Sequence, residues 1–144
     1  MNATDVDVRL IQQLSALDPL DQCSLLLNRG LAVDPEEQWR FDHADKIPGC
    51  ETNIWAHVEQ IDGTIFLQAR SDSILVDGAL SMLGELCRAS TLDEAASLSP
   101  RFIDAIDDSV IDREIKCNGI AKVVQRIRSA AISHSTPGCA IAAS

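Results

Sequence analysis

The stretch Asn53-Ile54-Trp55-Ala56-His57-Val58-Glu59-Gln60-Ile61-Asp62-Gly63-Thr64-Ile65-Phe66-Leu67-Gln68-Ala69-Arg70 decides the fold. Two β-prone runs, Asn53 to Ile61 and Thr64 to Arg70, flank an Asp-Gly pair. Asp-Gly accepts positive φ at both central turn positions, so the pair predicts a two-residue hairpin. Ile54, Ala56 and Val58 alternate with Trp55, His57 and Glu59. Alternation of period two leaves one face of the hairpin apolar, and that face has to pack under helices.

Outward from the hairpin, everything after Ser71 reads as helical. Leu75, Ala79, Met82 and Leu86 form one stripe over Ile74 to Cys87, with Ser71 to Ser73 as caps. Thr91 and Glu94 have capping-box spacing and open a short helix through Leu98. Ser99-Pro100 predicts another short helix. Asn118 is expected to begin the last one, where Ile120, Val123, Val124 and Ile127 share a face. From Ser133 the chain is small and weakly patterned, so a disordered tail is expected over 133–144. On the other side of the hairpin, Leu10, Ile11, Leu14 and Leu17 give a first helix over Thr4 to Leu17. Asp18-Pro19 caps and starts a second helix, with Leu20, Cys23, Leu27 and Leu31 along its expected inner face and Asp34-Pro35 at its close. Residues 36 to 50 are irregular and polar and end in Pro48-Gly49-Cys50. No βαβ alternation is present, so the class is α+β: a small antiparallel sheet covered on one face by helices, as one domain over 1–132.

A chain of 144 residues, 46 % hydrophobic and 24 % charged, suits one ordinary globular core. With two Trp, three Phe and no Tyr, that core is built mainly from Leu, Ile, Val and Ala. The net charge of −10 speaks against nucleic acid and anionic membranes as partners, because binding to both rests on Lys and Arg. Arg113, Lys116, Lys122, Arg126 and Arg128 nevertheless crowd the last third. A solvated helix face is the plain reading of them, and a protein-docking face the sharper one. No apolar run approaches the roughly 20 residues that span a bilayer, and Met1 to Val8 holds no basic residue. A secretory or organellar signal is therefore not expected, and a cytoplasmic location is. Cys23, Cys50, Cys87, Cys117 and Cys139 are odd in number, far apart, and form no C-x-x-C. Reduced thiols fit that pattern better than a zinc ribbon or a redox dithiol.

Among these thiols Cys50 has a distinct setting. Pro48-Gly49 fixes a turn before it and a strand follows, which places the thiol at a loop tip on a rigid scaffold. Cys23 and Cys87 lie on apolar helix faces and read as core thiols. His43, His57 and His134 are scattered and read as structural or solvated. Pro137-Gly138-Cys139 repeats the residues around Cys50 without a following strand or helix. Coincidence is its plain reading, and a second reactive thiol on a flexible arm its sharper one.

Three blocks carry a family resemblance over roughly Leu10 to Ala131. They are Gly49-Cys50-Glu51-Thr52-Asn53-Ile54-Trp55, then Ser71-Asp72-Ser73-Ile74-Leu75-Val76-Asp77-Gly78-Ala79, and last Ile115-Lys116-Cys117-Asn118-Gly119-Ile120. In order and spacing they resemble the SufE family, which shows G-C-Q-S-x-V-W, S-D-(small)-x-I-V-x-G-L and S-R-x-x-G-(apolar). Three departures stand out. Glu51 and Thr52 replace Gln and Ser, which keeps size and hydrogen-bonding capacity but adds a charge beside the thiol. Lys116 replaces an Arg, exchanging a planar fork for a point charge. Cys117 is not a family cysteine.

The resemblance implies a SufE/IscU-like fold and a sulfur acceptor with no cofactor of its own. Its partner would be a SufS-type or CsdA-type cysteine desulfurase, on which the pyridoxal phosphate sits. Cys50 would take the persulfide sulfur, stimulate the desulfurase and pass sulfur to a downstream iron–sulfur scaffold. The chain would then be a carrier and activator rather than an independent enzyme. Gly49, Glu51, Thr52, Trp55, Asp72, Lys116, Asn118 and Gly119 would form the docking surface, with no metal site. The alternatives weighed against this are an IscU-type iron–sulfur scaffold, which needs several converging ligands, and a non-catalytic helical interaction module in which Cys50 is structural.

Overall fold

The computed structural model describes residues 2–32, 41 and 43–135, with side chains through 133. Strand β1 (Ile54–Ile61) pairs antiparallel with β2 (Thr64–Ser71). Asp62 and Gly63 join them at φ of 52° and 79°, the left-handed pair that a primed hairpin turn requires. The register sets Ala56 opposite Ala69, Val58 opposite Leu67 and Gln60 opposite Ile65. Ile54, Ala56, Val58, Ile65, Leu67 and Ala69 thus share one face, with Ile54, Ala56 and Ile65 buried in the core and Val58, Leu67 and Ala69 packed partly buried against it.

Helices supply the rest: α1 (Ala3–Ser15), α2 (Pro19–Leu31), α3 (Ile74–Ala89), α4 (Leu92–Ala96), α5 (Phe102–Ala105) and α6 (Ala121–Ser135). Helices α3 and α6 pack on the hairpin, α1 and α2 lie against α3, and α4 lies against α6. The architecture is α+β, as the sequence predicts. Local chemistry sets the helix starts. Asp18 accepts from Asp21 N–H ahead of Pro19, Ser73 caps α3, and Thr91 and Glu94 complete the capping box of α4. Leu10, Leu14, Leu26, Ile54, Met82, Leu83, Phe102, Val123 and Ile127 are fully buried between these layers. Burial of each such side chain is worth about 1.5–3 kcal/mol.

Helix α2 turns a different face inward from the one its leucines predict. Leu20 is 76 % exposed and Leu31 64 %, whereas Gln22, Leu26 and Gly30 are buried. The reason is a close backbone crossing. A Cβ on Gly30 would fall 2.4 Å from Ile74 O, and one on Gly78 would fall 2.2 Å from Leu26 O. The glycine of the second sequence block is therefore a helix-contact residue. Gln22 enters the interior because its amide is satisfied: Nε2 donates to Leu14 O (2.9 Å) and Ala105 O (3.0 Å), and Oε1 accepts from Asp107 N–H (2.8 Å).

Three boundaries also differ. Helix α5 begins at Phe102, beyond Ser99-Pro100, because the Asp7 carboxylate on α1 accepts the N–H groups of Arg101 and Phe102, each at 2.9 Å. The last helical segment begins before Asn118, with Ile115–Ile120 wound as a π turn that runs directly into α6. At the other end α6 continues to Ser135, so the first three residues of the expected tail are helical. The Asp34-Pro35 stop, Trp39 and Pro137-Gly138-Cys139 lie outside the described residues.

Candidate functional site

Cys50 ends the segment 43–50, which lies along β1. Ile47 N–H donates to Ile54 O (2.8 Å), Ala56 N–H donates to Asp45 O (2.8 Å), and Lys46 forms an isolated bridge with Trp55. Gly49 turns the chain at φ 71°, a conformation glycine adopts without strain. The half-buried Cys50 thiol then lies against the π turn. A Cβ on Gly119 would sit 2.7 Å from Cys50 Sγ and 2.8 Å from Ile54 Cδ1, so only glycine at 119 lets the thiol seat there.

Two side chains from the last helical segment fasten this turn. Asn118 Nδ2 donates to Gly49 O (2.8 Å) and to Glu114 Oε1 (3.0 Å). Lys122 Nζ donates to Pro48 O (2.7 Å). One helical turn further along, Arg126 reaches back to three carbonyls: Asp45 O (2.8 Å), Ala56 O (3.0 Å) and Lys46 O (3.1 Å). A π turn adds a residue to a helical winding and commonly marks a functional position. Here it carries Asn118 and Gly119, which both meet the Cys50 turn.

The residues expected at the site divide accordingly. Gly49, Asn118 and Gly119 converge on Cys50. Glu51 is exposed and Thr52 partly buried beside it. Trp55 is half-buried on the outer face of β1. Asp72 accepts from Asn53 Nδ2 (2.5 Å) and donates its N–H to Asn53 O, three residues beyond Cys50. Lys116 requires a correction. It is only 7 % exposed, and its Nζ donates to Ile106 O (2.6 Å) and pairs with Asp108 (2.6 Å). The basic residue that reaches the Cys50 turn is Lys122, which the family blocks do not include. Its spacing was a usable signal, because 118 and 122 are i and i+4 on a helix and share a face.

The other thiols contrast with Cys50. Cys87 is buried in α3, and burial pushes its thiol pKa up to about 12. Cys23 is partly buried against the core, and Cys117 is exposed on the π turn. Behind the site, His57 stands between Glu59 (3.0 Å) and Asp45 (3.2 Å). The bond to Glu59, and then that to Asp45, raises its pKa above the ordinary imidazole value, with burial opposing. Among the described residues no group of three or more His, Cys, Asp and Glu is arranged to hold a metal ion. No described helix is long and apolar enough to cross a membrane.

Fold and site together define a small α+β domain that presents one thiol on a turn fastened by a helix. The chain belongs to the SufE family, the Fe-S metabolism associated domain, whose model matches residues 8–131. An uncharacterized SufE-like protein of Synechocystis is 27 % identical over 116 residues, 81 % of this chain and 73 % of that one. The chloroplastic quinolinate synthase of Nicotiana tabacum is 25 % identical over 95 residues, 65 % of this chain but only 13 % of that enzyme. The solution structure of a hypothetical protein from Thermus thermophilus shares the fold at a TM-score of 0.70 and 13 % identity, covering 91 % of this chain and 96 % of that one.

Proposed function

We propose that the chain accepts sulfur on Cys50 from a pyridoxal-phosphate cysteine desulfurase, stimulates that enzyme, and passes the sulfur on for iron–sulfur cluster assembly. Membership of a family tied to Fe–S metabolism supports the setting. The observation that carries the reading is the Cys50 thiol itself, held on a glycine turn between Gly119, Asn118 and Lys122. In the step proposed, the Cys50 thiolate attacks the outer sulfur of a persulfide on the donor cysteine. The donor S–S bond breaks, the donor leaves as a thiolate, and Cys50 becomes the persulfide. No electrons are lost or gained overall, and the donor is free for another turnover. Only the thiolate reacts, and a free thiol of pKa about 8.5 is a few per cent thiolate at neutral pH. A partner that supplies positive charge on docking favours the thiolate form.

The test is desulfurase turnover with cysteine at subsaturating acceptor. Cys50→Ser keeps the shape and removes the soft nucleophile, so stimulation is expected to vanish with the thermal midpoint unchanged. Cys23→Ala, at a partly buried thiol, is expected to cost about 1 kcal/mol of stability or less and to keep stimulation. Full stimulation by Cys50→Ser sinks the mechanism.

A further inference from the structure

Beside the Cys50 turn, Ile47 and Pro48 form one wall of a cleft of about 480 Å³, and Lys122, Gln125, Arg126 and Ser129 of α6 form the other. The four α6 residues follow i, i+3, i+4, i+7 spacing, so they lie on one face of the helix. Among the described residues some cations meet carboxylates, whereas those of this cleft, like Arg128 at Leu98 O, meet carbonyls. Arg9 and Arg29 meet Glu85, and Lys116 and Arg113 meet Asp108. Lys122 and Arg126 donate only to carbonyl oxygens among the described residues. A neutral carbonyl fixes a cation in place without cancelling its charge. The nearby Asp45 carboxylate is turned to His57. A protein with 22 acidic and 12 basic side chains therefore keeps two positioned cations in one cleft, next to its turn-borne thiol. The cleft also offers an amide, a hydroxyl and an apolar wall.

We propose that this cleft seats an acidic side chain, Asp or Glu, of the protein that hands Cys50 its sulfur; the inference rests on the sulfur-acceptor reading above. Charge complementarity selects the occupant. Lys122 Nζ would lie 3.2 Å from a Cβ on Gly49, so this cation of the cleft stands beside the residue that precedes Cys50. A carboxylate there fixes the approach of the donor sulfur and steers the encounter.

Two thiol reagents test the charge without any partner. Iodoacetate and iodoacetamide alkylate by the same displacement and differ in bearing a carboxylate or a neutral amide. The iodoacetate/iodoacetamide rate ratio at Cys50, read by peptide mass spectrometry and divided by the ratio for free cysteine, is expected to exceed one by about threefold or more at low ionic strength. Lys122→Glu and added salt should each bring it down towards one or below. Each protein's own iodoacetamide rate is the reference, so any change in how the turn exposes Cys50 cancels. A wild-type ratio equal to that of free cysteine overturns the proposal. With a cysteine desulfurase, Lys122→Glu is expected to raise the KM for the acceptor by more than it lowers kcat. An unmoved KM overturns the docking role, leaving a cleft that attracts small anions only. A raised alkylation ratio, as expected, with no Cys50 persulfide in the unmodified protein overturns the sulfur-acceptor reading and the named partner with it.

Discussion

Among the described residues two short turns carry a left-handed glycine, and they are secured in different ways. Asp62-Gly63 is closed by its own strands: Ile61 pairs with Thr64, and no atom outside the turn lies within 4 Å of a Cβ on Gly63. Pro48-Gly49 is closed from a distance, by Asn118 and Lys122 on a segment about seventy residues later in the chain. The first turn is a local product of two residues. The second exists only once the last helix has docked, so it reports on tertiary structure and responds to whatever touches that helix. A thiol on the second turn can be positioned, shielded or released by changes that leave the sheet alone.

The sharpest way to break this contrast is at Gly119. In Gly119→Val the added side chain meets both Cys50 Sγ and Ile54 Cδ1, and overpacking of this kind costs about 1–3 kcal/mol. The expected outcome is a lower denaturant midpoint together with an altered rate of Cys50 alkylation. An unchanged alkylation rate would show that the thiol does not rest on the π turn. Lys116→Ala comes next. Losing the buried bond to Ile106 O and the pair with Asp108 is expected to cost about 1–3 kcal/mol, with Cys50 alkylation unchanged. Altered alkylation at unchanged stability would return Lys116 to the site. At the other turn, Gly63→Ala places an L side chain at φ 79° and is expected to cost about 1 kcal/mol. Cys50 should react as before, and a coupled change would mean that the two turns are not independent.

The smallest effect is a pH dependence at His57, whose Nδ1 meets Asp45 on the segment leading to Cys50. Its raised folded pKa means that the protonated ring binds its carboxylates better in the folded state than in the unfolded chain. The stabilisation is fully present below the unfolded value of about 6.5 and is lost as pH rises through the higher folded value. Thermal midpoints across that window should fall with pH in the wild type by more than in His57→Gln. Equal slopes would assign the dependence to other groups.

The hairpin was fully legible because Asp62-Gly63 and a period-two pattern act within a few residues. The inner face of α2 was not, because Gly30 and Gln22 belong to it for reasons that hydropathy does not count: a backbone contact and a satisfied amide. The start of the last helix was misplaced because Asn118 reads locally as a cap, whereas it lies within a π turn over Ile115–Ile120 that meets the Cys50 segment. Cys50, Gly49, Asn118 and Gly119 were legible through the family blocks. Lys116 was assigned to the site by the same blocks, yet its ammonium is directed to Ile106 and Asp108. Lys122 lay outside those blocks, and only its i+4 spacing from Asn118 pointed to the bond it makes with Pro48 O.

The central claim is that Cys50 is the thiol that receives sulfur. It is tested most directly by incubating the intact protein with a cysteine desulfurase and cysteine, trapping persulfides by alkylation, and mapping them by peptide mass spectrometry. The account predicts one added sulfur on the Cys50 peptide, with Cys23, Cys87 and Cys117 unlabelled and the label lost in Cys50→Ser. A persulfide that forms first on Cys117 or Cys139, or none on Cys50 while desulfurase turnover rises, would contradict it.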